Sequence, residues 1–171
     1  MTPVTGPYVG TANPIRAVPG GGLPWIITAG NGALKSDGHL LVHVRGLVLA
    51  DQAPVPPALQ GTNPVPDFEA IVSCQTISAT GAATVTNVST APFPASTAGN
   101  SDINATVSLP HPCIAPIVFV FGAPNVGWFA ATGAEPVVPS GPAARASCTG
   151  AWWPDTTRRS DGRLQQGGCR S

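Results

Sequence analysis

A chain of 171 residues is one domain long, enough to bury a core without metals or cross-links. Eight Lys and Arg balance eight Asp and Glu, so no long-range field draws the chain to nucleic acid, an anionic membrane or an acidic substrate. With 20 Gly and 20 Pro, the longest stretch free of both runs from Asp67 to Thr80, and no stretch carries a long amphipathic helical pattern; the expectation is an all-β chain.

Residues 1 to 22 show no apolar periodicity and end in Gly20-Gly21-Gly22, so they read as a flexible N-terminal arm. They lack the basic and apolar regions of an export signal, which leaves a mature protein with an added Met, a misplaced start or a cytosolic chain; the cysteines favour one of the first two. Order is expected from LPWIITA onward. GNG at 30 to 32 and SDG at 36 to 38 are turn signals flanking ALKS, and HLLVHVRGLVL follows as one long strand. Residues 50 to 66 are too rich in Pro to pair in a sheet and form a crossing loop. EAIVSCQTIS and ATVTNVST are strands separated by a Gly turn. After a second loop, APFPASTAGNS, the segment DINATVSL alternates Ile103, Ala105, Val107 and Leu109 with Asn104, Thr106 and Ser108, one face buried and one wet.

Pro112 to Ala134 holds no charge, but Pro116, Gly122, Pro124, Asn125 and Gly127 interrupt it, and IVFVF is far shorter than the roughly 20 residues of a helical span. Two buried strands joined by GAPN are expected instead. Residues 23 to 133 thus form an antiparallel β-sandwich of about seven or eight strands, with an open β-barrel as the alternative. Residues 134 to 171 lose the alternation and hold five of the seven arginines, a WWP motif and two cysteines; they read as an irregular or disordered C-terminal tail.

Cys74 and Cys113 lie in or beside apolar strand-like runs, and no close metal-ligand pair exists, so a structural disulfide is the natural reading. Cys148 and Cys169 form a second candidate pair, and four cysteines leave three pairings open. A pair 39 residues apart could staple two sheets in immunoglobulin style, although no tryptophan lies between them. NVS at Asn87 and NAT at Asn104 accept glycans only in a eukaryotic secretory setting.

HLLVHVRG, residues 39 to 46, is the one place where chemistry-bearing side chains gather. In a strand His39, His43 and Arg45 share one face while Leu40, Val42 and Val44 enter the core. The histidines then stand about 13 Å apart, poor spacing for one metal ion, so a wet strand face is expected, no metal or cofactor is assigned, and His111 is the remaining histidine that could join a site. Asp67, Glu69 and Asp102 are candidate paired carboxylates, more simply read as solvated. Trp25, Phe93, Trp128, Trp152 and Trp153 offer stacking surfaces, with core packing the competing role for Trp25 and Trp128.

The run from Gly22 to Gly133, with LPWII, DGHLLVHVRGLVL, NPVPDFEAIVSC, LPHPCIAPIVFVF and WFAATG, resembles small secreted bacterial proteins of no established function. The resemblance implies export, a Cys74 to Cys113 pair and an end near WFAATG, and it carries no catalytic residue. The functional expectation is a secreted or envelope-associated, non-enzymatic β-sandwich that binds a small ligand, a glycan or a protein through residues such as His39, His43, Arg45, Trp25 and Trp128. The alternatives are a small extracellular hydrolase or metal-binding enzyme, and a self-assembling homo-oligomeric subunit whose N-terminal arm reaches a neighbour.

Overall fold

The computed structural model, which describes residues 1–123 and 127–132, is all-β, as the alternation implies. Its strands are β1 (Thr2–Pro3), β2 (Trp25–Ile26), β3 (Ala29–Leu34), β4 (His39–Arg45), β5 (Val48–Leu49), β6 (Asp67–Ile77), β7 (Ala83–Ser89), β8 (Phe93–Pro94), β9 (Ser101–Thr106), β10 (Ile114–Gly122) and β11 (Trp128–Ala131). Seven of these eleven are longer than two residues. All strand pairs are antiparallel. One sheet runs β1-β11-β10-β6-β7 with β8 also on β6, a second is β3-β4-β9, and β2 pairs with β5. These sheets stay open, so the arrangement is a sandwich and the barrel alternative falls away.

A single core joins the layers. Leu40, Val42 and Val44 of β4 and Ile103 of β9 meet Phe68, Ala70, Val72 and Cys74 of β6 and Val118 and Val120 of β10. Trp25 stacks on Phe129 with ring centroids 3.8 Å apart, and Phe68 meets the same ring edge-on at 6.0 Å. From Val118 onward β10 is buried on both faces: Val118 and Val120 face the sandwich interior opposite Val72 and Ala70, while Phe119 and Phe121 are also buried. A strand covered on both sides has no wet face to carry charge, which accounts for its absence from Val118 to Gly122.

The second cover comes from residues 1–22, and here the expectation of a flexible arm is corrected. Thr2 and Pro3 pair with Ala131 and Ala130, and Val4 and Val18 are buried. The Gly-rich stretch is a site of close backbone approach. Gly10 N–H donates to Gly21 C=O at 2.8 Å, Gly20 N–H to Gly10 C=O at 3.1 Å and Gly21 N–H to Trp128 C=O at 2.9 Å. A Cβ on Gly20 would stand 1.8 Å from the Tyr8 carbonyl oxygen, so the glycine is there for space. The turn at Arg16 and Ala17, both at positive φ, is pinned to the large sheet: Arg16 Nη1 donates to Ser73 C=O at 2.8 Å, and Asn87 Nδ2 donates to Arg16 C=O at 3.0 Å. Residues 1–22 therefore belong to the same domain as residue 23 onward.

Three other expectations change. GNG at 30 to 32 is not a turn; it lies inside β3 in unbroken register with Val44, His43 and Val42. HLLVHVRGLVL is not one strand: Gly46 takes φ +63°, a conformation open to glycine, and the chain then leaves β4 for β5, which pairs with β2. Cys74 and Cys113 are bonded, but Cys113 precedes β10, the neighbour of β6, so the bridge ties adjacent strands of one sheet rather than stapling two. The crossing loop over residues 50–66 contains only the short 3-10 turn Pro57–Leu59, and its buried Asn63 donates through Nδ2 to Val65 C=O at 2.7 Å and Ser96 C=O at 3.0 Å. No alternation marks Asn63, so it was not legible in advance. The tail over 134–171, with Cys148, Cys169, Trp152 and Trp153, lies outside the described residues.

Candidate functional site

β4 presents its two faces as its sequence requires. Leu40, Val42 and Val44 are buried, His39 is half-buried, and His43 and Arg45 are exposed. β9 lies beside it in a register that sets Asp102 directly opposite His43. The three side chains form a closed set. His43 Nδ1–H donates to Asp102 Oδ1 at 2.7 Å, and Arg45 Nη2 donates to Oδ1 at 2.8 Å and to Oδ2 at 3.1 Å. Arg45 Nη1 is held by the carbonyls of Val44 at 2.8 Å and Ser101 at 3.1 Å. The bond from His43 first, and those from Arg45 second, hold the Asp102 carboxyl below the usual carboxylate range. All three side chains are about half exposed, at 50%, 46% and 59% for His43, Arg45 and Asp102.

His–Asp pairing of this kind orients an imidazole in hydrolases, but there the second imidazole nitrogen faces a nucleophile and a substrate-holding concavity. Here Asn31 of β3 is the other cross-strand neighbour of His43, and the face is open. Arg45 adds a second donor to the carboxylate and completes a surface pair with little pull on the fold. His39 stands opposite Thr106 and takes no part. His111 lines a cleft that neither other histidine reaches. Among the described residues no three His, Cys, Asp or Glu side chains come together as metal ligands.

The other expected site residues separate as well. Trp25 and Trp128 are 3% and 4% exposed, so the expectation that they contact a ligand is corrected: each ring is in the core, Trp25 against Phe129 and Trp128 between Phe119 at 5.8 Å and Tyr8 at 6.3 Å. Glu69 sits in β6 opposite Phe121, where burial first and the neighbouring Asp67 second push its carboxyl up from the ordinary value. Asp102 is on the other sheet, so it does not join Asp67 and Glu69, which remain neighbours on one face of β6.

The concave surface lies elsewhere. A cleft of about 200 Å³ opens between β3 and β10, with Leu40, Val42 and Val118 below it and Gly32, Pro116 and Thr132 on its walls. It continues past Leu34 and Pro116 into a second hollow of about 220 Å³ flanked by Lys35, Leu109, His111 and Cys113. Sequence reasoning missed this groove because its walls belong to strands that are distant in the chain and unpaired with each other. Comparison of the chain with protein-family models, with curated proteins and with solved structures gave no significant match.

Proposed function

We propose that the protein is an exported β-sandwich binding module rather than an enzyme, and that its ligand enters the groove between β3 and β10. Export is supported by the Cys74–Cys113 disulfide, which belongs to oxidising compartments, and by the resemblance to small secreted bacterial proteins. The observation that carries the reading is that the paired His43, Arg45 and Asp102 lie apart from the concave surface. His43, Arg45 and Asp102 pair with one another on an open strand face, whereas the groove is lined mainly by Leu, Val, Pro and Gly. Shape and apolar surface are what a binding site needs, and a catalytic pair would have to face them.

The test is a titration of isotopically labelled protein with a mixed set of short peptides, oligosaccharides and small apolar fragments, followed by NMR. Ligand-dependent shifts should gather on Gly32, Leu34, Val118 and Thr132. Shifts centred on His43 and Asp102, or ester or peptide hydrolysis that Asp102→Asn abolishes, would overturn the proposal.

A further inference from the structure

We infer that the ligand is an extended peptide that joins β3 as an additional strand and ends in a carboxylate held by Lys35 and His111. The inference rests on the binding-module reading and names its partner. It begins with backbone parity. Lys35 N–H donates to His39 C=O at 2.9 Å where β3 turns into β4, so the odd-numbered residues of β3 bond to β4 and the even-numbered ones point the other way. Gly30 shows this directly, since its carbonyl accepts the Met1 amino group at 3.0 Å from the open side. The outward N–H and C=O groups of Gly32 and Leu34 have no partner among the described residues.

Edge strands are normally guarded by charge, proline or a bulge. β3 reads AGNGAL, with neither charge nor proline, and its register with β4 is unbroken from Ala29 to Leu34. Its small side chains leave the backbone accessible, and the cleft beside it has an apolar floor for alternate side chains of an added strand. The chemistry of the far end follows from charge. Lys35 and His111 flank the second hollow, and among the described residues no acidic side chain lines either part of the groove. From Gly32 to Lys35 is about 10 Å of strand, which fits three or four residues of peptide. Because Lys35 follows the C-terminal end of β3, a carboxylate placed there makes the added strand parallel to β3.

The experiment uses the full chain, isotopically labelled, and an N-acetylated tetrapeptide of alternating threonine and valine, once as the free acid and once as the C-terminal amide. The free acid should shift the Gly32 and Leu34 amide resonances, slow their hydrogen exchange, and bind about tenfold more tightly than the amide. Lys35→Glu, an exposed turn position, should keep the melting temperature and erase the preference for the acid. Equal binding of acid and amide, or no response at Gly32 and Leu34, overturns the inference. So does protection of these two amides in the free protein, which would mean that another part of the chain or, where dilution removes it, a second copy already holds the edge. Apolar fragments that shift Val118 while the acid peptide does not would leave the binding module standing and remove the peptide.

Discussion

Gly20→Ala tests whether residues 1–22 belong to the fold. The added methyl would meet the Tyr8 carbonyl oxygen at 1.8 Å and Val4 Cγ2 at 3.0 Å, and the first of these is backbone that cannot rotate away. The segment must move, which breaks the paired bonds between Gly10 and the Gly20–Gly21 backbone and loosens the cover over Val4 and Val18. Two backbone hydrogen bonds at about 1 kcal/mol each, with partial exposure of one valine at about 1 kcal/mol, give a loss of about 3 kcal/mol. In urea, with a slope of about 1.5 kcal/mol/M, the midpoint should fall by about 2 M. Gly22→Ala is the control: nothing lies within 4 Å of its Cβ position, so the change should be neutral or stabilise by about 0.5 kcal/mol through the unfolded state. Equal midpoints for the two variants would refute the packing argument and restore the flexible arm.

Further outcomes follow from the same geometry. Replacing Cys74 and Cys113 together with alanine should lower stability by about 4 kcal/mol, because the bridge closes a loop of 39 residues in sequence separation; an unchanged denaturation midpoint would show that the sheet alone restrains this loop. Asp102 has a lowered pKa in the folded protein, so its contribution is present above the unfolded carboxylate value of about 3.9 and is lost as pH falls through the folded value. Asp102→Asn should therefore give a small loss of stability at neutral pH that shrinks as pH falls below about 4, so that the variant has the flatter acid limb; a loss of equal size at all pH values would contradict the ion-pair assignment. Trp25→Ala should cost about 4 kcal/mol by emptying the stack on Phe129, while His39→Ala should stay within about 0.5 kcal/mol, both read from denaturant unfolding. Similar losses at both positions would undo the distinction between core and wet face.

The histidine face illustrates what local pattern can and cannot supply. Side-chain direction along β4 depends only on period two, so the burial of Leu40, Val42 and Val44 and the exposure of His43 and Arg45 follow from eight residues of sequence. The third member, Asp102, comes from a strand 59 positions away from His43, and only pairing register places it. Register is a long-range property, fixed by which apolar faces share the core. A lone Asp among Ser, Ile and Asn carries no local sign of it.

What the sequence by itself determined was the all-β class, most of the longer strands, the Pro-rich crossing loop and the expectation of a structural disulfide with its pairing left open, because alternation, proline and cysteine act through local stereochemistry. Tertiary structure decided the rest. Gly20 and Gly21 look like linker residues in isolation and are packing residues once Tyr8 and Trp128 approach them. GNG looks like a turn and extends as strand because β4 offers it a partner. The groove beside β3 exists only where two sheets of the sandwich diverge, a place defined by how the layers pack and not by any stretch of chain.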